Sequence, residues 1–213
     1  MFKSFHLSTF VASVMEREKF LEKVTQLFFR YGAKTLTMDD IAREFSISKK
    51  TLYQHYSAKE EILSDTLSYI LENVLNRIEK LQTKYENPLL MMLNSTETME
   101  DFLLESDNVF YLQLIKYYPE IIKNHQLNCY NQLKKTLKEN TEKGKNLGYY
   151  KTNFNEDLYF KFVLQLFFSV EDSPLFTTEY QNKKKLSKEI IEFYTQAIVT
   201  ENGARILKEL KEK

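Results

Sequence analysis

Lys49, Lys50 and Thr51 follow Ser48 directly, inside the stretch TMDDIAREFSISKKTLYQHYSAK from Thr37 to Lys59. Serine is a natural N-cap, so these three residues fall in the first turn of a short helix. That turn already carries partial positive charge and prefers anions, which sets two lysines against the helix dipole. A phosphate backbone or a guanine edge lying opposite would account for them. Side chains pointing only at water would account for them equally, and the pair alone does not decide.

Other chemistry-bearing patterns are sparse. His125 and Cys129 are four residues apart and share a helix face, but no further His or Cys lies nearby to complete a metal site. No metal and no cofactor are therefore expected. The chain has no H-E-x-x-H, G-x-S-x-G, C-x-x-C, Walker loop or dinucleotide fingerprint, and its carboxylates are those of solvated helix faces. Enzymatic activity is not expected.

The elements that must position Lys49 to Thr51 are helices. Four glycines and three prolines punctuate 213 residues, too few for many short strands, and 43% hydrophobic residues suffice for a core. The fold class is all-α. Thirty basic side chains balance thirty acidic ones, yet residues 1–60 carry ten basic against seven acidic, the sign suited to a basic reading head. A single cysteine, Cys129, excludes an internal disulfide framework, and a reduced, cytoplasmic setting follows as the default. No run of eighteen apolar residues predicts a membrane span. Residues 1–14 read as a leader, extension or loose arm, 15–60 as a helix-turn-helix domain and 61–213 as an effector and dimerisation domain.

From Glu16 to Tyr31 the positions Phe20, Leu21, Val24, Leu27, Phe28 and Tyr31 make one helical stripe, closed by Gly32 as C-terminal cap. Thr37 and Asp40 form a capping box for a second helix starting near Met38. Met38, Ile41, Ala42 and Phe45 face inward on it, and after Ser46 a new set runs from Ile47 through Leu52 to Tyr56. Two helices this short need a third behind them, and DNA-groove insertion is the obvious reason to present them.

Arg17 to Lys59 resembles the N-terminal domain of the TetR family of bacterial transcriptional regulators, through LFFRYGAKTLTMDDIA (Leu27 to Ala42) and ISKKTLYQHYSAKEEIL (Ile47 to Leu63). The resemblance implies a three-helix domain whose helix from Ser48 to Tyr56 enters the major groove. Lys49, Lys50 and Thr51 would then face base edges or nearby phosphates. Tyr53, His55 and Lys59 would touch the backbone, as would Thr37 from the second helix. The family's usual corner glycine is Ser46 here, a residue less tolerant of that backbone.

From Ala58 a long helix follows, about 25 residues or roughly 38 Å, which in the TetR family transmits the effector signal. Later helices are predicted over Pro88 to Leu93, Glu97 to Leu104, Asn108 to Tyr117, Glu120 to Lys143, Glu156 to Glu171, Lys183 to Thr200 and Ala204 to Lys211. By analogy Phe160, Leu164, Phe167, Phe168, Ile191, Tyr194 and Ile198 supply a homodimer interface. A small-molecule effector pocket is expected around Phe102, Phe110, Tyr111, Tyr117, Tyr118, Tyr130, Tyr159 and Phe162. Either set could instead be ordinary core. The function expected is a ligand-responsive repressor that releases double-stranded operator DNA. The alternative is a helical ligand-binding or interaction protein that has lost specific DNA binding.

Overall fold

A computed structural model describes residues 3–95, 109–170, 173–176 and 183–212. Ten helices account for most of them: α1 (Lys3–Tyr31), α2 (Met38–Glu44), α3 (Lys49–His55), α4 (Lys59–Lys84), α5 (88–95), α6 (Val109–Tyr117), α7 (Pro119–Asn146), α8 (Glu156–Ser169), α9 (Lys183–Ile198) and α10 (Glu201–Lys211). The predicted helix from Glu97 to Leu104 lies outside the described residues. α1 begins well before Glu16, because residues 3–31 contain neither glycine nor proline to stop it.

The chain divides into two compact units. The first runs to Leu71 and takes in α6 and the residues up to His125; the second begins at Glu72 and resumes at Gln126. The first therefore extends beyond the 15–60 segment that a three-helix domain needs.

In the first unit the predicted stripe of α1 buries Leu21, Val24, Leu27 and Phe28, and Ile41 and Ala42 of α2, Leu52 of α3 and Ile62, Leu63 and Leu67 of α4 are buried as well. Phe20 tilts against Phe45 at 4.6 Å and stacks on Tyr56 at 5.5 Å between ring centroids. α6 closes the unit: the Phe110 ring lies 5.8 Å from Phe28 and 5.3 Å from Phe29. Gly32 ends α1 at φ 87, and a Cβ there would stand 2.5 Å from the Gln113 amide oxygen. That oxygen accepts the Lys34 amide at 2.6 Å, so α6 also holds the loop that leads into α2.

The second unit packs the later half of α4 with α5, α7, α8, α9 and α10. Its core holds Ile78, Leu89, Met91, Leu133, Phe160, Leu164, Phe167, Ile191, Tyr194 and Ile198. One polar group crosses it with its needs met: the buried Asn140 amide donates to the Pro88 carbonyl at 3.0 Å and its oxygen accepts from the Tyr150 hydroxyl at 3.1 Å. Two glycines allow the chain after α7 to close against the C-terminal helix. A Cβ on Gly144 would sit 2.0 Å from the Tyr150 ring, and one on Gly203 would sit 2.1 Å from the Tyr149 carbonyl. Around that contact Lys151 donates its amide to Ile198, Thr200 donates its amide to Tyr149, and the Thr200 hydroxyl both reaches the Gly148 carbonyl at 2.7 Å and caps α10.

Among the described residues no helix is long and apolar enough to cross a membrane.

Gly203→Ala forces backbone apart and is expected to destabilise the protein by about 1–3 kcal/mol, as overpacking does. Thermal denaturation should show a fall of several degrees, and an unchanged midpoint would mean that the close approach to Tyr149 does not exist.

Candidate nucleic-acid interface and effector cavity

The α2–α3 pair is fixed at both ends by its own short side chains. The Thr37 hydroxyl oxygen accepts the Asp40 amide at 3.2 Å, and Asp40 takes the Thr37 amide at 3.1 Å and its hydroxyl proton at 2.6 Å. Those bonds from Thr37 hold the Asp40 carboxyl below the usual carboxylate range. Ser48 caps α3 by accepting the Thr51 amide at 3.0 Å, with the two hydroxyls 2.8 Å apart. Between the helices Ser46 takes φ 54 while its amide donates to the Arg43 carbonyl and that of Ile47 to the Ala42 carbonyl, each at 3.0 Å. The corner therefore keeps the left-handed geometry suited to glycine, with serine bearing some strain.

α3 buries one side chain, Leu52. Lys49, Lys50, Tyr53 and His55 are exposed, and Thr51 is half-buried. Lys49 forms an ion pair with Asp39 in the first turn of α2, whereas Lys50 has no ion pair among the described residues. Tyr56 turns inward instead, its hydroxyl donating to Asp65 at 3.1 Å. Arg17 meets the same carboxylate at 2.9 Å. Burial, aided by the Asp65 charge, pushes the Tyr56 phenol up to about 12, so it stays a donor.

Two expected backbone contacts have internal duties. Thr37 gives its hydroxyl proton to Asp40, and the Lys59 ammonium donates to the Lys34 and Leu36 carbonyls, each at 3.0 Å. Lys59 thus ties the start of α4 to the α1–α2 loop and keeps one N–H for an outside acceptor. Asp39, Gln113 and the Arg17–Asp65–Tyr56 network went unread in the sequence. Asp39 meets its partner ten residues on, and Gln113 acts on a loop 79 residues earlier. Neither spacing leaves a periodic signal.

Residues 20–66 match the family model described as bacterial regulatory proteins, tetR family. This N-terminal segment is similar to the DNA-binding domain of that family. A curated relative, the uncharacterised HTH-type transcriptional regulator YuxN of Bacillus subtilis (strain 168), is 28% identical over 100 residues, covering 46% of this chain and 34% of that protein. The match therefore spans about a third of the relative's length. A TetR transcription regulator from Haloarcula marismortui ATCC 43049 has a similar structure, with a TM-score of 0.70 at 16% identity over 88% of this chain and 100% of that one. A putative transcriptional regulator from Saccharomonospora viridis, in complex with choline, gives 0.68 at 17% identity over 88% and 99%.

The aromatic and apolar residues expected to form a pocket or a partner surface are spread over both units. Phe102 lies outside the described residues. In the first unit Phe110 and Tyr111 are buried. Tyr117 is exposed beneath the Lys34 ammonium, and Tyr118 is half-buried with Lys59 over its ring. In the second unit Tyr130 and Tyr159 are half-buried and Phe162 is 55% exposed. Of the residues read as dimer contacts, Phe160, Leu164, Phe167, Ile191, Tyr194 and Ile198 are enclosed by their own chain, and Phe168 is half-buried. The first five line an apolar cavity of ≈ 70 Å³. A helix apolar nearly all round can be covered by its own chain or by a partner, and its sequence does not say which.

An open cleft of ≈ 360 Å³ adjoins that cavity across the shared residues Leu137 and Phe160. Its polar wall is a cluster in which Lys134 reaches Asp157 at 2.6 Å, Lys161 reaches the same carboxylate at 2.7 Å and Tyr130 donates to it. These donors, Lys134 first, hold the Asp157 carboxyl well below the carboxylate range. His125 and Cys129 are both buried. Burial pushes the imidazole down to about 4 and the thiol up to about 12, leaving both neutral. Among the described residues no group of three or more His, Cys, Asp or Glu side chains could hold a metal ion.

Ser46→Gly is expected to raise stability by about 0.5–1 kcal/mol, strain relief outweighing the added freedom of the unfolded chain, while Ser46→Val lowers it by about 1–2 kcal/mol. Denaturant melts should rank Gly above Ser above Val; any other order would remove strain from the corner.

Proposed function

We propose that this protein is a DNA-binding transcriptional regulator, a repressor that leaves its operator when a small molecule occupies the second unit. The observation that supports this most directly is α3. It is capped by Ser48, anchored by Leu52 alone, and turns Lys49, Lys50 and Tyr53 outward on a TetR-family domain. In this reading Lys49, Lys50 and Thr51 meet base edges, and Ser48, Tyr53 and His55 meet phosphates from the same helix. Thr37 and Lys59 meet the backbone only through what their internal bonds leave over. The choline bound to the Saccharomonospora viridis regulator supports an effector inside such a fold. Effector binding shifts the population towards a state with lower DNA affinity, by no more than the ligand's differential affinity for the two states.

The active species is a homodimer reading two half-sites about 34–36 Å apart. With the inner faces of α8 and α9 occupied, the large apolar side chains exposed on those helices among the described residues are Leu158, Phe162 and Phe193, the last two 55% and 68% exposed. Exposed rings of this kind favour a protein contact. The double variant Phe162→Asp/Phe193→Asp is expected to halve the mass in sedimentation with little change in thermal midpoint. A dimer that survives both substitutions would place the interface elsewhere.

A mobility shift against the DNA flanking the gene, at several salt concentrations, tests the central reading; absence of sequence-selective binding would sink it. Lys50→Ala should cost about 1–3 kcal/mol on the cognate site and relax preference at one position. Tyr53→Phe, which removes a phosphate-directed hydroxyl, should weaken all sequences alike. If the two variants show the same sequence profile, the division between reading and positioning residues fails.

A further inference from the structure

The apolar cavity and its charged mouth restrict what the effector can be. At ≈ 70 Å³ the cavity is about half the ~150 Å³ of an engineered cavity that takes benzene, so it suits a slim chain better than a ring. Its walls combine aliphatic and thioether groups, among them Ile78, Met91, Met92 and Leu133, with the rings of Phe160, Phe167 and Tyr194. The Ser95 hydroxyl beside them is already committed to the Met92 carbonyl at 2.7 Å. A charged head buried there would lose its water and find no charged partner among the lining residues. The two methionines have the unbranched flexibility to move aside for a longer chain.

The mouth differs in chemistry. Leu137 and Phe160 belong to both spaces, so a molecule threaded past them has its far end in the cleft with Lys134 and Lys138. Of the charged residues lining the cleft, Lys134 shares the Asp157 carboxylate with Lys161 outside the lining, Lys138 faces Glu142 at 3.7 Å and Glu156 is paired with Lys145. The lining holds two ammonium groups and two carboxylates; with their ion-pair partners the count is four to three, the extra positive charge belonging to the Lys134–Asp157–Lys161 group. We infer that the effector is an anionic amphiphile of the carboxylic-acid class. Its aliphatic chain fills the cavity, and its carboxylate meets Lys134 in the cleft. The inference rests on the second unit being the effector domain.

The test is calorimetric titration of the full chain, without DNA, with hexanoate, heptanoate, octanoate, 1-octanol and octyltrimethylammonium. Affinity for the carboxylates should rise about fourfold per methylene, the worth of one buried CH₂ expressed as a binding ratio. Octyltrimethylammonium should bind at least about tenfold more weakly than octanoate. Lys134→Ala, at an exposed position, should weaken octanoate about tenfold while leaving 1-octanol within about twofold. Val163→Phe, which fills the cavity, should abolish binding of both, its folding checked by thermal denaturation. Should that variant not fold, the Lys134→Ala comparison decides.

Three results would overturn the inference: a cation that binds as well as the anion, affinity indifferent to chain length, or no binding by any member of the series. Because no DNA is present, these failures leave the operator reading standing. Loss of operator binding would in turn leave the titrations unaffected.

Discussion

A seven-residue helix that buries only Leu52 cannot hold itself in place, and the first unit is organised to hold α3 from outside. Ser48 closes its start, and Tyr56, locked by Phe20 on one side and Asp65 on the other, closes its end. Because restraint comes from the ends and from one core residue, the remaining surface is free of structural duty. That freedom lets lysines stand at a helix N-terminus where the dipole disfavours them.

The restraint reaches further than the helix-turn-helix itself. Lys59 draws the loop after α1 towards the start of α4, and Gln113 grips the same loop from α6. Each tie runs between one side chain and a main-chain group, a combination that fixes a loop without needing a core beneath it. The positive φ of Gly32 and its tight approach to Gln113 belong to the same arrangement.

Local grammar was legible in the sequence. The Thr37–Asp40 capping box, the Ser48 cap, the Gly32 stop and the inward positions Leu21, Val24, Leu27 and Phe28 of α1 depend on neighbours within four residues and fall where their spacing puts them, whereas Tyr31, at the end of the same stripe, is exposed. Which face of α8 or α9 meets solvent was not legible, since Phe160 and Phe162 are the same residue type two places apart, yet one is 5% exposed and the other 55%. Hydrophobicity marks both, and only the positions of distant helices separate them. For the same reason residues read as partner contacts line a cavity, and residues read as cavity lining include a surface ring.

The ion pair between Lys49 and Asp39 alters how the reading helix would be counted on DNA. A lysine that arrives solvated displaces a condensed cation from the duplex, and that release appears in the salt dependence of binding. Lys49 arrives with a carboxylate already beside it. Were DNA to take the ammonium, Asp39 would be left to gather a cation from solution, and the net number of ions set free would be close to zero. Under the proposed reading, Lys49 would exchange one partner for another and leave the salt-dependent attraction to Lys50.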